Sequence, residues 1–251
     1  APTTGTFIPP TLIAVDGIED VKEEIFGPVL HVATFEGEDV PEVVEAINAT
    51  GYGLTFGLHT RIDTRVQEVS DAIHVGNVYV NRNQIGAVVG SQPFGGEGLS
   101  GTGPKAGGPF YLPRFYAAAE PASLPSPTVL PGPTGELNQL SLKARGPVWC
   151  LGPDPEDRRR QVTLVEALGG QARSFDDKLP PDALTRDGGM AAVLWWGDGP
   201  TARDYAEALA ERPGPIVPLI TGTPDAAHVL HERHLCVDTT ASGGNAALLA
   251  G

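Results

Sequence analysis

NVYVNRNQIGAVVGSQPFGGEGLSGTGPKAGGP, residues 77–109, is the stretch from which the rest of the chain can be interpreted. Residues 77–81 alternate apolar and polar side chains in a β-branched and aromatic run, which predicts a strand. Residues 82–109, called the glycine loop below, carry nine glycines and three prolines. Glycine permits positive φ and close approach of a ligand or of other backbone. Because loops longer than about 12 residues are usually functional or disordered, both a binding loop and an ordinary surface loop fit this segment.

The composition favours a globular chain and argues against several partners. The 251 residues are 41% apolar, which suits one large or two modest domains. A net charge of −14 argues against nucleic acid and against an anionic membrane surface. The sequence has no run of about 18 apolar residues and no signal-peptide pattern, so we expect a cytoplasmic location. Peripheral membrane association of a longer, full-length protein is the alternative.

The two cysteines are expected to be structural. Cys150 and Cys236 lie in apolar, strand-like runs, VWCLG and LCVD. Such surroundings favour reduced, buried thiols over a disulfide or a metal ligand.

Two motifs resemble the aldehyde dehydrogenase family. The segment QPFGGEGLSGTGPKAGGPFYL (residues 92–112) is similar to the closing segment of that family, and EEIFGPVL (residues 23–30) resembles its second signature. The form GAVVGSQPFGGEGLSGTGPKAGGP looks most like the branch that oxidises glutamate γ-semialdehyde, in the module fused to proline dehydrogenase in bifunctional bacterial proteins. The ending CVDTTASGGNAALLAG (residues 236–251) resembles the extreme C-terminus of the same proteins.

The resemblance implies roles for five residues. Glu24 matches the carboxylate that accepts hydrogen bonds from the nicotinamide ribose of NAD, and Phe26 matches the ring beside the nicotinamide. Without the family match, an acidic turn residue and a core aromatic are the simpler interpretation. Gly86 and Ala87 match the loop whose backbone N–H groups hold the α-carboxylate of the substrate. Phe94 matches the aromatic that packs on the aliphatic chain of the substrate, with a hydrophobic plug as the alternative.

The resemblance places no catalytic residue in this chain. In the family, the nucleophilic cysteine, the general base and most of the dinucleotide site precede the EEIFGPVL segment, whereas both cysteines here follow it. We therefore expect a fragment that is inactive alone, with FAD confined to an absent proline dehydrogenase module. The implied partners are the semialdehyde, the upstream proline dehydrogenase and dehydrogenase segments of the same protein, and further copies in a homo-oligomer. A dehydrogenase for another aldehyde and a purely structural or oligomerisation fragment are the alternatives.

The predicted fold class is α/β in two domains. We expect the C-terminal part of an aldehyde dehydrogenase catalytic domain over residues 1–117, a proline-rich linker or oligomerisation flap over 118–139, and a Rossmann-like domain with its tail over 140–251. Alternating strands and helices in both halves predict largely parallel sheets. The second domain lacks the dinucleotide fingerprint, since LGPDPED follows its first strand and the acidic side chains would repel a pyrophosphate. The resemblance implies that this domain and the tail from Thr239 seal a substrate-channelling cavity.

Basic residues outside these motifs have simpler interpretations. His228, His231 and His234 suggest a metal site, but their spacing differs from HExxH, so we favour a solvated end of a helix over residues 224–233. Lys105 could contact a phosphate, and an exposed loop lysine is the favoured interpretation.

Overall fold

The structure is a computed structural model that describes residues 4–115, 126–186 and 189–240. Its first half contains β1 (Thr11–Ala14), β2 (Val29–Val32), α1 (Val40–Ala49), β3 (Tyr52–Gly53), β4 (Thr55–Leu58), α2 (Asp63–Ala72), β5 (Asn77–Val80) and β6 (Glu97–Gly98). The remainder contains β7 (Thr128–Leu130), β8 (Glu136–Ala144), β9 (Val148–Cys150), α3 (Pro155–Ala167), β10 (Ala172–Ser174), β11 (Ala192–Leu194), α4 (Gly199–Ala210), β12 (Leu219–Ile220), α5 (Ala226–Val229) and β13 (Leu230–Asp238). This mixed architecture confirms the predicted α/β class.

Helices α1 and α2 form where helical spacing of apolar residues predicts them. The residues with this spacing are Val40, Val43, Val44 and Ile47 for the first helix, and Ile62, Val66, Val69 and Ile73 for the second. Val44 of α1 and Val69 of α2 are buried in one cluster with Val78 and Val80 of β5. Burying a valine side chain stabilises the fold by about 1.5–3 kcal/mol, so this cluster fixes both helices against the sheet. Asp39 is a residue type that favours the N-cap position and stands there in α1, but its side chain accepts no capping hydrogen bond.

Strand β5 separates an apolar layer from a polar one. Val78 and Val80 face the helices, and the alternate residues Asn77 and Tyr79 are equally buried on the opposite side. There, Asn77 Nδ2 donates a hydrogen bond to the carbonyl oxygen of Pro93 in the glycine loop (2.9 Å). The alternation that predicted the strand therefore reflects two buried faces, one of which is covered by the loop.

Strand β13 lies at the centre of a five-stranded sheet ordered β4-β5-β13-β8-β7. It pairs with β5 in parallel and with β8 in antiparallel fashion along nine residues. The sheet thus takes strands from both sides of the predicted linker, and β7 lies within that linker segment. Strands β1 and β2 are parallel as expected, but they form a separate pair and not one sheet with β4 and β5.

A second sheet of four parallel strands, ordered β10-β9-β11-β12, carries α3 and α4. Its two faces are packed by different apolar clusters. One includes Trp149, Trp195 and Tyr205, and the other includes Val148, Val165 and Leu194. The adjacent residues of β9 therefore point to opposite faces, as the period of a strand requires.

Asp154 caps helix α3, and this cap gives a first prediction. Its side chain accepts hydrogen bonds from the backbone N–H groups of Glu156 (2.8 Å) and Asp157 (2.9 Å). We expect Asp154→Ala to lower the free energy of unfolding by about 1 kcal/mol, because two N–H groups lose their acceptor. Asp154→Asn, which retains an acceptor, serves as the control in urea unfolding. Equal losses for both variants would contradict the capping role.

The helix predicted over residues 224–233 is mostly wrong. Helix α5 is four residues long, and β13 begins directly after it at Leu230. The sequence LHERHLCVD pairs along its whole length with β8, so long-range pairing overrides local helical preference. His231 and His234 consequently lie in a strand and not at a helix end.

Candidate functional site

The glycine loop starts at the carboxyl edge of the five-stranded sheet. Strands β4, β5 and β13 are parallel, so Leu58, Val80 and Val237 reach the same edge. Asn81 follows β5 with a positive φ of 59°, and its side chain bonds the backbone N–H and carbonyl of Thr60. Asparagine tolerates this left-handed conformation, so Asn81 turns the chain out of the sheet and into the loop.

Gly86 and Ala87, the residues matched to carboxylate binding, lie on the exposed part of this loop. Gly86 has a φ of 72°, a conformation that favours glycine, and a Cβ atom there would meet nothing within 4 Å. The backbone conformation, and not crowding, is therefore the reason for glycine at this position. The neighbouring Ile85 and Val89 expose 82% and 99% of their surface, so this part of the loop is open.

The buried side chain of Gln92 holds the exposed part of the loop through hydrogen bonds. Its Oε1 accepts a hydrogen bond from the N–H of Val88 (3.0 Å), one residue beyond Ala87. Its Nε2 donates to Oε1 of Glu136 (3.0 Å), which also accepts from Asn138 Nδ2 (2.8 Å). Glu136 is the first residue of β8. Because β8 is antiparallel to β13, Glu136 lies beside the loop, at the carboxyl edge of the parallel strands. The conformation of the loop is thus tied to a carboxylate far along the chain.

Arg82 forms the second link between the loop and Glu136. Its Nη1 lies 3.0 Å from Oε2 of Glu136, in an ion pair whose side chains are 17% and 16% exposed. The guanidinium also lies 5.1 Å from the ring centre of Tyr79 and 3.4 Å from Sγ of Cys236. A largely buried ion pair is costly to break, so Arg82 and Glu136 fix the start of the loop.

Both cysteines are free and buried, as predicted. Burial raises the pKa of Cys236 to about 11 and that of Cys150 to about 12. Since the thiolate is the nucleophilic form, neither side chain is suited to covalent catalysis near neutral pH.

The expectation of an exposed Lys105 is wrong. Only 3% of its surface is exposed, and its Nζ donates to Oδ1 of Asn77 (2.8 Å) and to the carbonyl oxygen of Gly95. Burial lowers its pKa to about 7, against a smaller opposing effect of Glu232 and Glu97. Lys105 therefore joins the loop to the polar face of β5 and is not available to a phosphate.

Glu232 of strand β13 binds the C-terminal end of the glycine loop through hydrogen bonds. Oε2 of Glu232 accepts from the N–H of Lys105 (2.8 Å), while Oε1 accepts from that of Phe110 (3.4 Å). Burial raises the pKa of Glu232, and these N–H groups oppose that rise. One carboxylate thus holds the loop at Lys105 and the residue that directly follows the loop, Phe110.

The histidines of β13 are also buried or half-buried, which corrects the solvated interpretation. His234 is 1% exposed, with its ring nitrogens near Asn77 Nδ2 (3.4 Å) and Asn138 Oδ1 (3.1 Å). On the opposite face of the strand, His231 Nε2 lies 3.5 Å from Glu97. Burial lowers the pKa of His231 to about 3 and that of His234 to about 4. Among the described residues, no cluster of three or more potential ligands could hold a metal ion.

The residues matched to NAD binding lie on a separate, exposed segment. Glu24 and Phe26 stand between a 3-10 turn (Ile18–Asp20) and β2, and Phe26 exposes 91% of its surface. Phe26 is therefore not a core aromatic within the described residues. Phe94 is half-buried, and its backbone pairs with Ala106 inside the glycine loop. No hydrogen bond or ion pair in residues 4–115 connects Glu24 or Phe26 with the loop.

The aldehyde dehydrogenase family model matches residues 1–119. This range includes the glycine loop and the segment of Glu24 and Phe26. Residues 1–119 therefore belong to the aldehyde dehydrogenase family. The chain as a whole, including β8 and β13, matches the C-terminal part of the bifunctional protein PutA.

Individual relatives extend this result. The chain is 38% identical to the bifunctional protein PutA of Escherichia coli K12 in an alignment 320 residues long. The alignment covers 98% of this chain but only 24% of that protein. It is 49% identical to 1-pyrroline-5-carboxylate dehydrogenase 1 of Halalkalibacterium halodurans over 112 residues, 44% of this chain and 21% of that enzyme. The structure of proline utilization A from Corynebacterium freiburgense superposes with a TM-score of 0.63 at 23% identity, covering 91% of this chain and 27% of that one, and shows a shared fold.

Sequence reasoning missed the residues that support the loop, namely Gln92, Lys105, Glu136 and Glu232. Each of them has at least one partner that lies between 10 and 144 residues away, so local patterns carried little signal for these contacts. The one available sign was the alternation of Asn77 and Tyr79 with valines in NVYV, because Asn77 is the partner of Lys105. None of the helices in the described part of the chain is long and apolar enough to span a membrane.

Proposed function

We propose that this chain supplies part of an NAD-dependent dehydrogenase for L-glutamate γ-semialdehyde, within a longer bifunctional protein that converts proline to glutamate. The observation that carries the proposal is the open turn at Gly86 and Ala87, held at the carboxyl edge of a sheet by Gln92 and Glu136. Ligands of α/β proteins gather at such edges. The similarity to a 1-pyrroline-5-carboxylate dehydrogenase supports the choice of substrate.

In this proposal the backbone N–H groups near Gly86 and Ala87 bind the α-carboxylate of the substrate. Backbone donors suit a carboxylate because small residues let the main chain itself reach the anion. Phe94 packs on the aliphatic chain of the semialdehyde and excludes water from that side. Gln92 keeps the N–H of Val88 from turning outward, since that N–H is already bonded inside the loop.

Glu24 and Phe26 suit the nicotinamide half of NAD. A carboxylate offers two acceptor oxygens to the vicinal hydroxyls of a ribose, and an exposed aromatic ring can pack on one side of the nicotinamide. Both side chains are exposed and available for such contacts. When bound, NAD supplies the hydride acceptor for oxidation of the aldehyde. FAD belongs to a separate proline dehydrogenase module, and the nucleophile and general base belong to segments outside residues 1–251.

The second part of the chain has a structural role in this proposal. Residues 140–251 cover the substrate-channelling cavity, and the whole protein acts as a cytoplasmic homo-oligomer. The carboxylate of Asp154 already occupies the N-terminus of α3, where a dinucleotide-binding domain would bind a pyrophosphate. The predicted seal by residues 239–251 falls almost wholly outside the described residues. A fragment with only a structural or oligomerisation role is the second candidate, favoured by the depth of β13 in the sheet.

Gly86→Ala in the full-length protein tests the role of the loop. Alanine at a φ of 72° is strained by about 1–2 kcal/mol, so the turn should shift and bind the carboxylate less well. We expect KM for glutamate γ-semialdehyde to rise about 10-fold, while kinetics with propanal, which has no carboxylate, stay unchanged. Gly103→Ala, at another open and positive φ, is the matched control. Equal losses with both aldehydes would favour a dehydrogenase for another aldehyde, and no dehydrogenase activity would favour the structural candidate.

A further inference from the structure

Two neighbouring cavities lie at the opposite, amino edge of the parallel strands. The larger, of about 540 Å³, separates the glycine loop from the segments that lead into β9, β11 and β12. The smaller, of about 320 Å³, lies between that region and the end of α1. Both are lined by Glu97, Arg145 and His231, so they meet at these side chains. This region is separate from the carboxyl edge, where Gly86 and Ala87 lie.

The lining of these cavities is basic although the chain as a whole is strongly acidic. The chain has 31 acidic and 17 basic residues, for a net charge of −14. Among the described lining residues, the one carboxylate is that of Glu97, against the three arginines Arg114, Arg145 and Arg233. Three histidines also line the cavities, but His231 adds no charge near neutral pH, since burial lowers its pKa to about 3. A cavity walled by one sign of charge attracts ions of the other sign, and this local excess opposes the charge of the chain.

The one carboxylate in the lining is already paired. Glu97 Oε1 lies 2.7 Å from Arg233 Nη2, and its Oε2 lies 3.5 Å from His231. Outside the lining, Asp225 lies 2.7 Å from His228 Nδ1. Neither Arg114 nor Arg145 forms a salt bridge within residues 4–115, 126–186 and 189–240. Two guanidinium groups in the larger cavity therefore have no carboxylate of the described chain within salt-bridge distance, although Glu97 and Glu232 act on Arg145, and Asp225 interacts with Arg114, over longer distances.

Arg145 is the better positioned of the two. It is half-buried, and its Nε donates to the carbonyl oxygen of Leu230 (3.1 Å), which fixes the plane of the guanidinium. Arg114 donates from Nη1 to His228 Nε2 (3.3 Å) on the same wall. Burial is the main cause that lowers the pKa of Arg145. The carboxylate of Glu97 opposes this shift, and the positive charge of Arg114 adds to it, so the two guanidinium groups repel each other. Such an arrangement gains from an anion placed between them.

The glycine loop forms the wall of the larger cavity that faces the two arginines, and this wall has space for a ligand. Gly103 has a φ of 137°, and a Cβ atom there would meet nothing within 4 Å. Its neighbours Gly101 and Thr102 also line the cavity, so main chain without large side chains faces the arginines. A ligand can therefore approach the backbone closely on one side while an anionic group pairs with guanidinium on the other.

We propose that the larger cavity is a binding site for a small molecule that carries a phosphate or carboxylate group, with Arg145 and Arg114 pairing with the anion. The two arginines supply planar pairs of N–H donors, which match both anions in geometry. This site is independent of the proposed dehydrogenase function, because it lies at the other edge of the sheet and uses none of its residues.

Calorimetric titration of the 251-residue chain tests the proposal with inorganic phosphate and glutarate as separate probes, at constant ionic strength with chloride as the reference anion. We expect saturable binding of at least one probe. Arg114→Gln and Arg145→Gln should each weaken it about 10-fold to 100-fold, because a charge-assisted pair is lost. The probe that binds more tightly distinguishes a phosphate from a carboxylate ligand.

Arg159→Gln is the matched control, since it removes the same charge from an exposed position of α3 that lines neither cavity. It should leave binding unchanged. Arg114 is exposed, so its variant should fold even if Arg145→Gln does not, and circular dichroism checks both. No saturable binding of either probe would overturn the proposal. So would an Arg114→Gln variant that binds as tightly as the unaltered chain, or an equal loss in Arg159→Gln.

Discussion

Replacing Glu136 with alanine is expected to lower the free energy of unfolding by about 3 kcal/mol and to free the turn at Gly86. The change leaves Arg82 mostly buried without its ionic partner, which is the costly way to break such a pair. It also removes the acceptor for Gln92 Nε2, whose other end holds the N–H of Val88. Urea unfolding measures the first effect. Hydrogen exchange at the amide of Val88 measures the second, and we expect it to accelerate at least about 10-fold.

An exposed ion pair provides the comparison. Lys143 and Asp71 lie 3.3 Å apart with side chains 46% and 52% exposed, so Asp71→Ala should cost no more than about 1 kcal/mol. Glu136→Gln, which keeps an acceptor but not the charge, should fall between the two. If Val88 exchanged at the same rate in all three variants, the link between Glu136 and the turn would be refuted. In the full-length protein the same link predicts a higher KM for the semialdehyde with Glu136→Gln.

The unfolding free energy is expected to rise as the pH increases from about 7 to 8.5, because of Lys105. Burial holds its pKa at about 7 in the folded chain, below its ordinary value of 10.5. Within this window the unfolded chain binds more protons than the folded chain, so stability increases with pH. One unit of pH in this window corresponds to about 1.4 kcal/mol, which gives a rise of about 2 kcal/mol. Lys105→Met should remove this slope.

The upper limit of about pH 8.5 excludes the titration of groups that change the unfolding free energy in the direction opposite to Lys105. Cys236 and Cys150 have pKa values raised to about 11 and 12, so above their ordinary value of 9.0 they lower stability as the pH rises. Burial also raises the pKa of Glu232, so this carboxyl changes stability with pH in the same direction as the cysteines. Glu232 is present both in the unaltered chain and in Lys105→Met, so it does not affect the comparison. Lys22→Met, at an exposed position, is the control and should retain the slope. A slope that survives in Lys105→Met would show that Lys105 is charged when folded throughout this range.

The elements that sequence predicted well are those whose cause is local. The strand at residues 77–80 and the helices α1 and α2 followed from alternation and from helical spacing, because one buried face decides each of them. The positive φ of Gly86 gives this glycine a conformational reason, which differs from the small size for which the sequence singled it out.

The polar interior could not be predicted because each of its residues depends on a distant partner. Lys105 carries no sign of burial in GPKAGG, and its position follows from Asn77 on β5 and Glu232 on β13. The pattern of HERH also fits a helix end, and only pairing with β8 makes it a strand. The sites inferred for Glu24, Phe26, Gly86, Ala87 and Phe94 remain predictions that rest on resemblance.

The position of β13 has a consequence for how the protein is made. The ribosome synthesises β5 and β8 well before β13, which is the last strand of the described chain and fits between them. Until then, a nascent chain carries two unpaired strand edges, and such edges template association with other chains. Sheets closed by distant pairings also form slowly. Chaperone binding during synthesis should therefore be strongest after β8 has emerged and should decline once residues 230–238 are free to insert.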